Sequence, residues 1–331
     1  MNKDSHILIT GGAGFIGSAL VKIFNNHGIQ NLILCDTFHN KEKIRNLEGK
    51  QYTTQVEADQ LFDYLQQDHR IGFIFHFGAK AGAYAMDKQA LEKYNLEYSQ
   101  KIWDYATLKQ IPLIYATTGA TYGTGTFGFT DDVSTLKELG PVNEYARSKH
   151  RFDLWANSQE KSPPFWAGLK LFNVFGPNEY HKGKRASMVY HCYRQIVEKG
   201  YATLFGSFNH AIADGEYKRD LVYLKDVLDI CFWFYDQIRQ NHKKLSSGIF
   251  NVGTGIPVSF NDIAFAVFAV LKKEASIQYQ PIPEDIRNGY PEISYADTGK
   301  LRLSGYTSPF TPLDEGVADY VQNYLIPKRY F

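Results

Sequence analysis

Hydrophobic positions in the first half of the chain form short, wholly apolar runs that alternate with longer stretches of helical spacing. Ile7-Leu8-Ile9 reads as a strand, residues 15–26 as a helix, 32–35 as a strand, 59–67 as a helix and 71–75 as a strand. Gly28 stands where a helix ends, a long helical segment covers 88–108, and 113–117 reads as the next strand. A further helix begins at Tyr145, and a further strand lies near 168–172. This βαβ rhythm predicts an α/β fold with a doubly wound parallel sheet. After Asn173 the pattern changes to Gly176-Pro177, a basic loop and a polar, glycine-containing stretch, with helices expected at 225–239, 260–273 and 313–324. The expected division is a nucleotide-binding domain over 1–173 and a smaller, mixed α/β, mainly substrate-binding domain over 174–331, with some later segments returning to the first.

Composition sets limits on this picture. The chain has 331 residues, 44% hydrophobic and 15% aromatic, enough for a substantial core. Its formal net charge is +1 with no block of like charge, so neither nucleic acid nor an anionic membrane surface is implied as a partner. The longest wholly apolar run, 263–271, is too short to span a bilayer, and no cleavable leader pattern is seen at the N-terminus. Cys35, Cys192 and Cys231 are odd in number and far apart, each inside an apolar run, as expected of buried thiols in a reducing compartment. The expected protein is soluble and cytoplasmic, without a metal site.

Gly11-Gly12-Ala13-Gly14-Phe15-Ile16-Gly17 lies between the first strand and the first helix. In that context Gly11, Gly14 and Gly17 supply a tight turn, close approach to a pyrophosphate and close helix packing, which is the Rossmann dinucleotide fingerprint. Asp36, at the end of the second strand, is placed to accept from an adenosine ribose, which taken alone favours NAD over NADP. Lys43, a short loop beyond, is either a partner for a 2′-phosphate or merely exposed. Phe77-Gly78-Ala79 offers a second small-residue turn near the cofactor, and His76 before it reads as a structural histidine.

Tyr145 and Lys149, four residues apart, project from one face of a helix. An ammonium there can lower the phenol's pKa from about 10 toward working pH, making a general base for an alcohol. Thr118, from a strand end, adds a hydroxyl to a site that removes a carbinol proton while a cofactor takes the hydride. The basic segment His181-Lys182-Gly183-Lys184-Arg185 is either a solvated loop or a contact for a substrate phosphate.

The fingerprint, Tyr122-Gly123, the Tyr145/Lys149 pair and Asn173 together resemble the extended short-chain dehydrogenase/reductases that act on nucleotide sugars, over essentially the whole chain. Leu171 through Pro177, Glu179, His181-Lys182-Gly183, Ala186-Ser187, Lys218-Arg219-Asp220, Asn251 through Gly255 and the stretch from Gly289-Tyr290 to Ala296-Asp297 look most like the ADP-L-glycero-D-manno-heptose 6-epimerases. The resemblance implies an inversion at C6 of the heptose through a transient ketone, with NADP as cofactor (NAD possible), in the supply of lipopolysaccharide core precursors. It also implies two proton-transfer residues, Tyr145 and Lys182, with Lys149 holding the ribose and tuning Tyr145, and Thr118 near the reacting oxygen.

By the same matching, the cofactor contacts are Gly11, Gly14, Phe15, Ile16, Gly17, Asp36, Thr37, Lys43, Phe77, Gly78, Ala79, Lys80, Asn95, Lys149, Val174 and Lys182. The substrate contacts are Asn173, Lys184, His191, Phe205, Gly206, Arg219 and Tyr290, and a homo-oligomer is expected. Structural alternatives stand beside several of these: Asn173 as a turn cap, His191 as a buried helix face, Arg219 paired with Asp220 or Glu216, Tyr290 packed beside Pro291. Thr118 stands where serine is usual, Lys80 and Ala81-Gly82-Ala83 replace a more polar run, Asn178 an arginine and Lys184 a serine, and a few extra residues lie between Phe208 and Lys218. These departures bear on the sugar more than on the chemistry. A 4,6-dehydratase would carry an acidic pair after Thr118, where Gly119-Ala120 stand. A UDP-hexose 4-epimerase shares the fingerprint and the Tyr/Lys pair but calls for no base at Lys182, and a non-catalytic dinucleotide sensor would not require Tyr145, Lys149 and Thr118 together.

Overall fold

The structure, a computed structural model, describes residues 5–80, 87–240, 245–287 and 289–331. Seven parallel strands form the main sheet: β1 (His6–Thr10), β2 (Leu32–Asp36), β3 (Thr54–Glu57), β4 (Ile71–His76), β5 (Leu113–Thr118), β6 (Trp166–Leu171) and, from much later in the chain, β10 (Gly248–Val252). Their order is β10-β6-β5-β4-β1-β2-β3. Strand alternation sends Ile7 and Ile9, Leu32 and Leu34, Phe73 and Phe75, and Phe250 and Val252 to one face, and Leu8, Ile33 and Cys35, Ile74 and Ile249 to the other. Both sets are apolar because both faces are covered by helices, which is why the strands read as unbroken apolar runs.

On the first face lie α1 (Phe15–Asn26) and, of the later helices, Leu224–Arg239; Phe24 meets Tyr235 edge-on with ring centroids 5.0 Å apart. The second face carries α2 (Tyr98–Leu108) and α3 (Glu144–Asn157), where Trp103 packs edge-on against Phe152, Trp155 and Trp166. A third cluster belongs to the C-terminal half and joins α4 (Met188–Lys199), α6 (Phe260–Leu271) and α7 (Leu313–Tyr320), while α5 (Leu224–Arg239), between them in the chain, packs in the first cluster on the sheet.

Among the described residues, β10 and seven other strands are not marked by apolar runs. β3 is the sheet's outer edge and buries only Val56 fully, so its sequence carries little pattern. β7 (Asn173–Phe175), β9 (Lys218–Tyr223), β11 (Pro257–Ser259) and β13 (Ile293–Ser294) form a small second sheet, and β8 (Ala202–Phe205) pairs with β12 (Ile277–Gln280). Most are short, and all pair across long sequence separations. The expected helix at 59–67 is reduced to Leu61–Tyr64, and the 88–108 helix runs as Lys88–Leu91, a wider turn at Glu92–Glu97, and α2. Cys35, Cys192 and Cys231 are all buried and free. Among the described residues no helix is long and apolar enough to cross a membrane.

Candidate active site

In this strand order β1 stands between β2 and β4, the point where a doubly wound sheet opens a crevice beyond its strand ends. Thr10, Gly11, Asp36, Thr37, Lys43, Gly78, Ala79, Lys80, Tyr94 and Tyr98 line a cleft there. Gly11 has φ +71°, and a Cβ on it would come within 2.7 Å of the Gly78 amide nitrogen. A Cβ at Gly17 would sit 2.2 Å from the Gly11 carbonyl oxygen, so only glycine lets α1 start this close to the turn. Gly14 caps α1 with no side-chain hydrogen bond, and the first turn carries no acidic residue, so the positive end of the helix is left to face an anion. These residues fit a dinucleotide pyrophosphate.

The Asp36 carboxylate is largely committed. It accepts from the Ala13 amide at 2.9 Å and the Thr37 amide at 2.7 Å, and it pairs with Lys43. Thus Lys43, which the sequence left open, is at the cleft and paired with the Asp36 carboxylate. His76 is structural, as read: its ring nitrogens contact the Thr10 hydroxyl at 2.7 Å and the Ser99 hydroxyl at 2.9 Å, and burial followed by the Lys149 charge holds its pKa down to about 3.

The dyad stands on α3 beside the end of β5. Asn143 caps the helix by accepting from the Ala146 amide at 2.8 Å. The Lys149 ammonium, 3% exposed, donates to the Ala116 carbonyl at 2.9 Å, and burial lowers its pKa to about 8 against the opposing pull of Asp153. The expected lowering of Tyr145 by this ammonium is not found. Burial pushes the phenol up to about 12, and the Lys149 ammonium, which donates to the Ala116 carbonyl, does not offset that. Thr118 accepts from the Ala120 amide at 3.2 Å and so keeps its hydroxyl hydrogen to donate. Asn95 is fully buried and clamps the Lys80 backbone from both sides, its amide also donating to the Ser148 hydroxyl at 2.9 Å. Its role in this structure is to lock the Lys80 turn to the dyad helix. Lys80 itself is exposed, its ammonium 5.0 Å over the Tyr94 ring, and residues 81–83 lie outside the described residues.

Beneath the dyad, on the same face of α3 and one turn beyond Lys149, is Asp153. It is fully buried, accepts from Thr117 at 2.8 Å and Tyr115 at 3.3 Å, and pairs with buried Lys170 at 3.3 Å. Reading the helix one turn further would have found it. Asn46 is different, since nothing local marks it. Fully buried, its amide donates to the Ala13 carbonyl at 3.0 Å and the Asn178 carbonyl at 3.1 Å and lies 3.2 Å from the His181 ring nitrogen. It ties the glycine turn to the basic loop. Asn178, standing where arginine was expected, has φ +76° and donates to Ser18 on α1 at 3.0 Å.

That loop brings Lys182 onto the fingerprint, its ammonium 4.5 Å over the Phe15 ring and 3.7 Å from Glu179. Burial lowers the Lys182 pKa, with Glu179 opposing. On the substrate side, Arg219 is stacked over Tyr290 at 4.6 Å and Phe260 at 5.6 Å and donates to the Lys218 carbonyl at 2.7 Å. It makes no ion pair with Asp220 or Glu216: Asp220 accepts from Thr254, Gly255 and Ala296, and Glu216 accepts from Asn261. Tyr290 also packs edge-on against Tyr217. Phe205 and Gly206 lie at the end of β8, where Asp214 accepts from the Ser207 amide at 2.7 Å. Asn173 donates to the Asp220 carbonyl at 3.1 Å, Val174 is half-buried in β7, Lys184 is exposed, and the His191 ring lies 3.3 Å from the Lys184 carbonyl.

Residues 7–253 match the NAD dependent epimerase/dehydratase family. The chain belongs to this family. It is 40% identical over 330 residues to the ADP-L-glycero-D-manno-heptose-6-epimerase of Fusobacterium nucleatum, covering 96% of this chain and 98% of that protein. The solved Helicobacter pylori ADP-L-glycero-D-manno-heptose-6-epimerase superposes with TM-score 0.78 at 26% identity, covering 98% of each chain. A Thermus thermophilus UDP-glucose 4-epimerase solved with NAD shares the fold at TM-score 0.73 and 23% identity, over 96% of this chain and 97% of that one. The family resemblance and the fold class read from the sequence are borne out. The chain is an epimerase of an NAD(P)-dependent family, and the reading as a non-catalytic sensor has no support from these relatives.

Proposed function

We propose that this epimerase inverts C6 of ADP-glycero-manno-heptose, with NADP as its cofactor. The observation that carries the reading is Lys182, a half-buried lysine with a lowered pKa delivered onto the cofactor turn in addition to the Tyr145/Lys149 dyad, where a 4-epimerase calls for the dyad alone. The near full-length likeness to proteins named for the heptose supports the substrate. The glycine turn, Asp36 and Lys43 would hold the dinucleotide, Lys43 favouring a 2′-phosphate. Held by those residues, the cofactor would supply reversible hydride transfer at C6, acceptance from one face and return to the other.

The chain's own groups manage the proton. Tyr145, with its pKa raised, holds its proton at neutral pH and is the group set to give one to the ketone oxygen; Lys182, with its pKa lowered, is the group set to take one from the C6 hydroxyl. For the opposite epimer the two exchange roles. Lys149 holds the ribose, Thr118 donates to the reacting oxygen, and Arg219, stacked and free of carboxylate partners among the described residues, meets the diphosphate. Incubating the protein with ADP-D-glycero-D-manno-heptose and, separately, with UDP-galactose tests the reading. C6 inversion of the first with no 4-epimerisation of the second is expected; the reverse outcome would replace it with the hexose 4-epimerase reading. Replacing Lys43 by Met should weaken NADP about tenfold while leaving NAD nearly unchanged; equal loss for both cofactors would remove Lys43 from phosphate recognition.

A further inference from the structure

Glu179 is fully buried in the loop that carries Lys182. One carboxylate oxygen takes the Ser187 hydroxyl at 2.6 Å and the Gly176 amide at 3.4 Å; the other takes the Ser187 amide at 2.5 Å and lies 3.7 Å from the Lys182 ammonium. A single buried charge therefore closes residues 176–187 on themselves. Between its ends the chain turns sharply at Gly183, φ +56°. Without that charge, Lys182 would rest on Phe15 with only a weak ring contact to hold its ammonium.

We propose that Glu179 is the positioning residue of Lys182, holding the loop shut and the ammonium over the cofactor turn while never touching substrate. This rests on the reading of Lys182 as the second proton-transfer group. The charges bearing on Lys182 among the described residues are Glu179, which favours its protonated form, and Arg185, which disfavours it. His181 adjoins it, with Lys43 facing that ring from the packed segment Lys41–Ile44, and Tyr320 on α7 faces Glu179. Phe15, from α1, brings no charge. Glu179 is thus the counter-charge that keeps Lys182 able to return a proton after it has taken one.

The test reads Lys182 directly, whether or not turnover uses it. Competitive acetic anhydride labelling of the full-length protein across pH, followed by mass spectrometry of the Lys182 and Lys149 peptides, gives each amine's titration midpoint. In Glu179→Gln the Lys182 midpoint should fall by about one pH unit, as expected for loss of an opposite charge at this range, with Lys149 unmoved and Glu179→Asp restoring part of the shift. An unchanged Lys182 midpoint in a folded Glu179→Gln protein overturns the proposal. Should that variant not fold, Ser187→Ala removes one hydrogen bond that disperses the carboxylate's charge, and the Lys182 midpoint should rise; a fall or no change overturns it equally. If the labelling shifts as expected but Lys182→Met retains full epimerisation, the role of Lys182 fails while the Glu179–Lys182 coupling stands.

Discussion

The two groups proposed to transfer protons are held by different means. Tyr145 and Lys149 ride a capped 14-residue helix whose underside is pinned by Asp153, Thr117 and Lys170, so helical geometry and a buried polar network place them together. Lys182 rides a short basic loop with a left-handed glycine; Glu179 braces it from within that loop, and Asn46 and the ring of Phe15, both far off in sequence, bring the loop to the cofactor turn. The difference teaches that a reactive pair can be prepared by local periodicity, whereas a lone base on a loop must be delivered by contacts between segments far apart in sequence. It also separates their chemistry. Burial without an attracting neighbour raises the phenol, and burial with one carboxylate nearby leaves Lys182 lowered but partly compensated.

The largest expected effect breaks the comparison from both sides. Tyr145→Phe and Lys182→Met should each cut epimerisation by about 10²–10⁴-fold, and the double variant should abolish it while NADP binding, read by fluorescence, persists. Substantial epimerisation by the double variant would end the two-group assignment. On the helix side, Asp153→Asn leaves Lys170 charged and buried without its partner and should cost about 3–5 kcal/mol in urea unfolding. Replacing the pair together, Asp153→Leu with Lys170→Met, should recover much of that loss, and equal destabilisation by both would show that the pair is not what pins α3.

A smaller effect sharpens the contrast through pH. The Lys149 pKa is lowered to about 8 from 10.5, so its ammonium is lost as pH rises through about 8. The activity that depends on it should then fall about tenfold per pH unit above that point. For stability the sign is opposite to that of a paired lysine: the cost of the buried charge is fully present below pH 8 and is relieved as pH rises from about 8 toward 10.5. A rate that stays level to pH 10 would mean that Lys149 need not be charged.

Much of the site was legible along the chain because its signals are local. The glycine fingerprint sits in a strand-turn-helix unit, Asp36 closes the next strand, and Tyr145/Lys149 share a helix face; each is a matter of spacing within a few turns. Lys182 was found only through resemblance to a family, and Asp153 was legible in principle, one turn beyond Lys149. Asn46 was not, since its partners lie in other segments, and the charge-balancing role of Glu179 was not, since it depends on an irregular loop closing on itself. By itself the sequence determined the alternation of buried strands and helices, the dinucleotide turn and the identity of the dyad, because these follow from backbone periodicity and from where glycine is sterically required. Only the tertiary structure decided the return of β10 to the main sheet, the mooring of Lys182 on Phe15 and the direction in which the Tyr145 proton is biased. Strand pairing across long loops and the desolvation of a side chain both depend on what the rest of the chain packs around them, and no local pattern carries that information.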